Sequence, residues 1–478
     1  MKHVFKIIVL VSLLLSCKQE PTVTQVVSNT TVTNKEKLSD YLNELEKSGF
    51  SGSVLVAQKG KILLEKGYGY SNRENKIKST SETVFDIGSI TKQFTGAAIL
   101  RLEMQGKLSV EDKLSKYISN IPVDKKDITL HQLLTHSSGF QSGIGDDYER
   151  ISTQEFIEEA FKRKLLFEPG TKFTYSNVGY SFLGIIIEKV SGMSYEEYLM
   201  KHLWKPSGMD QTGYKKPSFK DIAVGYRKNK HWGKPTDKKW DVDGPYWHLK
   251  ANGGVLSTTQ DMYKWHRALL GDKILNATAK SKYYSKHIEE GEGAGSYYGY
   301  GWAIFPTPRN TELIAHNGGN GIFFADMWRY LDEDITIIMM TNAVQRKFEN
   351  IASQVAGILL KPDFNPIVSE QSKGTIIGEM ADQLVDEFMK TMNQNDQNAW
   401  KSFIDNRMTP TFKNSFSIEK HIAMFKQLHE DLKGGKIVQI MVKENEVILG
   451  VETNNEVEQI LFDVIPNAKG KLRIEGIR

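Results

Sequence analysis

Three short patterns with the residue types of serine acyl transfer follow one another along this chain: Ser89-Ile90-Thr91-Lys92, Tyr175-Ser176-Asn177 and His316-Asn317-Gly318. No one of them is specific. Ser-x-x-Lys recurs at Ser417–Lys420, Tyr-x-Asn at Tyr41–Asn43 and Tyr70–Asn72, and His-x-Gly at His231–Gly233. Order and local context set the first three apart. A serine hydroxyl is a poor nucleophile at neutral pH without a neighbouring base. A lysine withdrawn from water can be that base, because desolvation lowers its pKa.

The elements that must position these residues can be read around them. The extended run Thr83–Gly88 leads into a helical pattern from Ser89 to a glycine stop at Gly106. Ser89 is thereby expected at a helix N-terminus, where free N–H groups and the dipole favour a developing anion. Lys92, one turn on, faces the same way. The plainer alternative is that Ser89 caps the helix and Lys92 is solvated. For Ser417, which opens a helix with no companion motif, the plainer reading is preferred.

Tyr175 follows the turn signal Pro169-Gly170 and precedes an apolar helix from Asn177 that stops near Gly192. Its phenol is expected to reach a cleft, with a pKa lowered by the lysine ammonium, and to shuttle protons. Asn177 offers a donor and an acceptor to a substrate amide. Packing alone is the competing account of Tyr175 and is preferred for Tyr41 and Tyr70. His316 follows the extended run Thr311–Ala315 and opens the segment Asn317-Gly-Gly-Asn-Gly321, where glycines admit a ligand to backbone N–H groups. No Gly-Lys-Ser/Thr follows, which argues against a phosphate cradle. His131 and His136 fall on different helix faces and Cys17 is the only cysteine, so neither a metal nor another cofactor is expected.

With the three patterns in this order, the chain resembles the serine β-lactamase and penicillin-binding superfamily. It is most similar to the branch of class C β-lactamases, D-aminopeptidases and β-lactamase-like esterases. Residues 38–362 match that domain in layout. Further stretches typical of it are Leu133-Leu-Thr-His-Ser-Ser-Gly139, Asn252-Gly-Gly-Val-Leu-Ser-Thr-Thr-Gln-Asp-Met262 and Tyr298-Gly-Tyr-Gly-Trp302. The resemblance implies that Ser89 is acylated and that Lys92 is its base or pKa-lowering partner. It implies that Tyr175 moves protons to the leaving group and from the deacylating water. Backbone N–H groups of Ser89 and Gly319 would form an oxyanion hole, with Asn177, His316 and Gly318 beside it. One departure is informative. β-Lactamases usually carry Lys-Thr-Gly where this chain has His316-Asn317-Gly318, and a histidine is mostly neutral at pH 7. That weakens an antibiotic-hydrolysing reading and resembles D-aminopeptidases and some esterases instead. No Gly-x-Ser-x-Gly elbow is associated with these patterns, which disfavours an α/β-hydrolase.

The 478 residues, 40% hydrophobic and 25% charged, describe a globular protein too long for one ordinary domain. A net charge of +4 without a basic run gives no reason to expect nucleic acid. Met1–Lys6 is positive and Ile7–Leu15 apolar but too short to span a bilayer. The ending Leu14-Leu15-Ser16-Cys17 resembles a bacterial lipoprotein signal, with lipidation at Cys17 and a polar tether over 18–37. The alternative is an ordinary signal peptide.

The expected fold is α/β in the α+β sense: an antiparallel sheet from both ends of the 38–362 domain, with an inserted helical lobe. Its parts include a helix Leu38–Lys47, a hairpin Gly52–Gln58 and Lys61–Gly67, and late strands at 300–306, 311–315, 322–330 and 335–341. A helix is expected over Gln345–Leu360. After a linker at 363–373, helices at about 376–393, 397–404 and 417–432 precede four strands between Lys436 and Ile477. That order looks like an NTF2-like domain, expected as an accessory or homodimerising module, with a small-ligand pocket as the alternative. The functional expectation is a lipid-anchored serine hydrolase of the bacterial envelope, facing the periplasm or cell surface. It would act on a small ester or a D-amino-acid-containing peptide. The alternatives are a β-lactamase or DD-carboxypeptidase, and a catalytically silent lipoprotein binding peptidoglycan or protein.

Overall fold

Alternation along the central strands places two cores on opposite faces of one sheet. In the strand Gly52–Gln58, Val54 and Val56 enter one core while Leu55 and Ala57 enter the other. In Ile335–Thr341, Ile337 and Met339 face the first and Ile338 and Met340 the second. A strand buried on both faces must read as a continuous apolar run, and Ile-Thr-Ile-Ile-Met-Met-Thr does. The computed structural model describes residues 33–478, apart from 228, 292, 346–347, 367–372, 444–445, 454–455, 468–470 and 478. Cys17, the signal-like segment and residues 18–32 of the tether lie outside the described residues.

The sheet has eight strands, all antiparallel. Their spatial order is Lys61–Tyr68, Gly52–Gln58, Ile335–Thr341, Phe324–Tyr330, Glu312–Gly319, Ala303–Pro306, Tyr297–Tyr298 and Ile288–Glu289. The two ends of the domain meet where Gly52 lies opposite Thr341 and Gln58 opposite Ile335. Helices Asn34–Lys47 and Ile351–Leu360 cover one face through Leu38, Leu42, Leu45, Ile351, Val355 and Ile358. On the other face, helix Thr91–Met104 is buried on nearly every side and packs against helix Asn177–Ser191 of the helical lobe. This is the expected β-lactamase-like architecture.

Several boundaries moved, among them the starts of the strands expected at 300 and 322, now Ala303 and Phe324. The first helix begins at Asn34, so the tether expected to reach residue 37 ends earlier. Glu36 sits in its first turn, where a carboxylate is favoured by the dipole. The helix expected from Gln345 starts at Ile351. His316-Asn317-Gly318-Gly319, which lies beyond the strand expected at 311–315, continues the strand Glu312–Gly319 and pairs with Phe324–Met327. Glycine content argues against a strand only where side-chain packing is needed. Here the partner strand supplies the ladder.

Beyond the linker, helices Lys373–Met392, Gln397–Arg407, Pro410–Ser415 and Ile418–Leu432 precede a four-stranded antiparallel meander. Its core joins Leu384, Phe388 and Trp400 to Val447, Leu449, Phe462 and Ile474 and shares no residue with the other cores. Ser417 opens the last of these helices, and the core residues nearest to it are structural.

Candidate active site

Ser89 lies in a 3-10 turn, Gly88–Ile90, and the α-helix itself begins at Thr91. Neither the turn nor the helix has a side-chain cap hydrogen bond, so the capping account of Ser89 fails. Gly88 holds φ +50°, a left-handed conformation suited to glycine. The serine remains partly exposed while Lys92 is wholly buried. Lys92 Nζ lies 3.2 Å from Ser89 Oγ, 2.7 Å from Asn177 Oδ1 and 2.7 Å from the Asn252 carbonyl oxygen. Burial holds this amine well below its ordinary pKa, opposed in part by the Asp147 carboxylate. A neutral amine has two hydrogens and one lone pair. The two carbonyl oxygens take the hydrogens, which leaves the lone pair on the serine hydroxyl.

Tyr175 stands immediately before Ser176, the N-cap of helix Asn177–Ser191, whose hydroxyl accepts from the Gly179 N–H. Its pKa is raised, contrary to the expected lowering. Desolvation dominates, with the Glu290 carboxylate adding to the rise, while Lys92 Nζ sits over the ring face, 4.6 Å from its centroid. The Tyr175 hydroxyl is shut off from solvent and makes no well-formed hydrogen bond at rest. The Ser89 and Tyr298 hydroxyls are the neighbours that ease its ionisation. His136 lies against the ring, centroids 4.2 Å apart, and its Nδ1 accepts from the Ser176 N–H at 3.0 Å. Tyr175 is thus fixed through both its ring and the residue after it.

His316 is 6% exposed and faces Tyr298, whose hydroxyl is 2.8 Å from its Nε2. Burial and the nearby Lys92 push its pKa down to about 3, so the imidazole is neutral at pH 7. Gly318 lies beneath the nucleophile turn. A Cβ there would stand 2.1 Å from the Ile87 carbonyl oxygen and 2.5 Å from the Ser89 nitrogen. Gly319 is exposed beside it. Asn320 N–H donates to the Phe323 carbonyl, so the next pair, Gly319 and Phe324, is the non-hydrogen-bonded kind. The Gly319 N–H therefore turns to the opposite edge, where pairing with Ala303–Pro306 has already ended at Ala303 opposite Ala315. The Gly319 nitrogen lies against the nucleophile turn, 2.6 Å from where a Cβ on Gly88 would stand. Asp86, 2% exposed, accepts from the Gly88 N–H at 2.7 Å and from Asn320 Nδ2 at 3.1 Å. It clamps the nucleophile turn to the loop after Gly319.

All seven catalytic-domain residues expected at the site therefore converge. Reasoning from the sequence missed His136, Asn252 and Tyr298. Each lay in a stretch singled out for its resemblance, yet nothing in those stretches says which side chain turns inward. The 140–150 and 205–250 loops carried no readable code, but they meet in an aromatic wall. Tyr148 packs on Trp232 at 5.7 Å, Trp232 on Phe323 at 6.1 Å, and Lys238 Nζ lies 3.7 Å over Trp232. Among the described residues no group of three His, Cys, Asp or Glu could hold a metal ion.

A nucleophilic serine beside a desolvated lysine and a buried tyrosine, at the edge of an antiparallel sheet under a helical lobe, defines a serine acyl-transfer enzyme. Comparison with known proteins agrees. The Beta-lactamase family model matches residues 36–359, and the chain belongs to that family of serine hydrolases. It is 30% identical over 332 residues to penicillin-binding protein 4* of Bacillus subtilis, covering 65% of this chain and 72% of the relative. It is 34% identical over 278 residues to the putative penicillin-binding protein PbpX of the same organism, covering 58% and 67%. Among solved structures, the octameric penicillin-binding protein homologue from Pyrococcus abyssi superposes with a TM-score of 0.62 at 25% identity, over 91% of each chain.

Proposed function

We propose that this serine hydrolase cleaves a small ester or a D-amino-acid-containing peptide through an acyl-enzyme on Ser89, outside the cytoplasm. The observation that carries the mechanism is the hydrogen-bond count at Lys92. Its amine takes the Ser89 proton as Oγ adds to the acyl carbon, and the Ser89 and Gly319 N–H groups receive the oxyanion. Tyr175 donates its proton to the departing oxygen or nitrogen and is made whole again from the Lys92 ammonium. Water then repeats the addition on the ester. Asn177 Nδ2 is left to hold a substrate amide, since its Oδ1 is engaged by Lys92. A silent binding role accounts poorly for a lysine buried at the cost of its charge beside a serine kept open.

The neutral His316 bears on the substrate. A fixed ammonium to a substrate carboxylate contributes about 1.5–3 kcal/mol, or one to two decades in specificity constant. Without it, esters and D-aminoacyl amides should be preferred to β-lactams. The Bacillus relatives are named for penicillin binding, which supports a second reading of this chain as a β-lactamase or DD-carboxypeptidase. One experiment separates them. Intact mass after a fluorophosphonate probe should show one adduct, lost in Ser89→Ala. A screen of p-nitrophenyl esters, D-aminoacyl anilides and nitrocefin should favour the first two, and His316→Lys should shift the ratio towards nitrocefin. Nitrocefin as the best wild-type substrate would install the second reading. The lipid anchor rests on the Leu14–Cys17 sequence alone, and release of a Cys17→Ser protein from membranes would support it.

A further inference from the structure

A buried phenol can accept a proton only if its own proton has somewhere to go. Tyr175 is held neutral by burial, so taking a proton from the deacylating water requires an outlet on its far side. The orientation of His316 identifies one. Its Nδ1 is hydrogen-bonded to the Asn317 carbonyl oxygen. A carbonyl only accepts, so Nδ1 carries the imidazole hydrogen and Nε2 is bare. The contact of 2.8 Å between Nε2 and Tyr298 is therefore donated by the tyrosine. Tyr298 is 1% exposed, its single proton is committed to His316, and its hydroxyl is one of the two that ease the ionisation of Tyr175. Tyr180, the other phenol nearby, donates its own proton to the Leu134 carbonyl. The four rings of Tyr175, His136, Tyr298 and His316 form one packed cluster, with Tyr298 4.6 Å from His136 and 5.8 Å from His316 between centroids.

We propose that Tyr298 and His316 form a reversible proton outlet for Tyr175, which serves hydrolysis of the acyl-enzyme. This rests on the acyl-enzyme reading above. As water adds to the ester carbon, its proton passes to the Tyr175 oxygen, the Tyr175 proton to the Tyr298 oxygen, and the Tyr298 proton to His316 Nε2. Imidazolium, still donating from Nδ1 to Asn317, carries the charge instead of tyrosinate. When the tetrahedral intermediate collapses, the proton returns along the chain to Ser89 Oγ, and no proton is gained or lost overall. Tyr298 touches no substrate and is a positioning residue. His316 is then a proton acceptor facing inward, a role that a lysine at this position, which donates, would reverse.

The test separates acylation from deacylation. In Tyr298→Phe and in His316→Gln, formation of the acyl-enzyme from a p-nitrophenyl ester should slow far less than its hydrolysis. Each should hydrolyse it at least ~10²-fold more slowly, so that the adduct accumulates in intact mass spectra. Glutamine accepts a hydrogen bond but not a proton, so its failure to rescue marks proton transfer rather than packing. The double variant should be no slower than the worse single one. Wild-type deacylation in either variant overturns the outlet. So does a 15N spectrum of labelled wild-type protein, assigned with His316→Gln, in which Nε2 of His316 carries the hydrogen. That spectrum needs no turnover. A wild-type protein that forms no adduct would instead overturn the acyl-enzyme reading.

Discussion

At Lys92 one buried nitrogen sets the pH at which the serine is ready. The neutral amine is the base, so activity must rise with pH through the lysine's lowered pKa. Desolvation places that rise well below the range of an ordinary lysine, and the Asp147 carboxylate draws it part of the way back. Asp147→Asn should accordingly move the acid limb of kcat/KM to lower pH, and a limb that stays or moves upward would count against this assignment. Lys92→Arg keeps the charge at every accessible pH and should lose the ~10²–10⁴-fold typical of a positioned base. The types and spacing of Ser89 with Lys92, and of Tyr175 with Asn177, were legible because the members of each pair lie within one helical turn of sequence. The raised pKa of Tyr175 was not. Its sign is set by desolvation, which depends on how completely the assembled fold closes over the phenol.

Two adjacent glycines at the end of one strand have opposite tolerances. A Cβ on Gly318 would collide with the Ile87 carbonyl and the Ser89 nitrogen, whereas one on Gly319 would meet Phe324 Cδ2 at 3.4 Å and the Phe323 carbonyl oxygen at 3.5 Å, ordinary contacts. Gly318→Ala should push the nucleophile turn off the strand, cost about 1–3 kcal/mol or more, and cut fluorophosphonate labelling sharply. Gly319→Ala should leave melting temperature and labelling close to wild type. Equal losses in the two variants, measured by melting and by labelling rate, would refute the packing argument. The sequence marked this segment as a place where backbone matters but not that it was a strand. The pairing partners, Phe324–Met327, lie across a turn whose contribution shows only when the ladder is assembled. Elements with strong period, such as the Gly52–Gln58 hairpin and the four late C-terminal strands, were legible almost to the residue. The helix lobe's aromatic wall was not, because its members come from separate loops without period.

Across the whole molecule, buried ionisable groups make stability depend on pH from both sides. His316 and His266 have pKa values pushed down to about 3 and about 2 from 6.5. Between those values and 6.5 the unfolded chain binds the extra protons, so stability rises with pH and is lost on acidification. Asp86 and Asp326 are pushed up from 3.8 to about 7 and about 8. From 3.8 to those values the folded state holds the extra proton, so stability falls as pH rises. Between pH 6.5 and 8 only the carboxyls act in this set. Each contributes about 1.4 kcal/mol per pH unit inside its window, roughly 2 °C in melting temperature for a domain of this size. Asp326→Asn, which keeps the shape and removes the charge, should flatten the fall in melting temperature over that interval, and an unchanged slope would exclude Asp326 as its source. The pairing of Gly52–Gln58 with Ile335–Thr341 has a further consequence, in time rather than in space. Contacts so distant along the chain must wait for a long loop to close. While the polypeptide is being made, Ser89 emerges hundreds of residues before the strand against which its turn rests. A nascent or prematurely ended chain therefore carries the nucleophile without its platform and is chemically inert, and reactivity switches on only when synthesis has passed the last strand of the sheet.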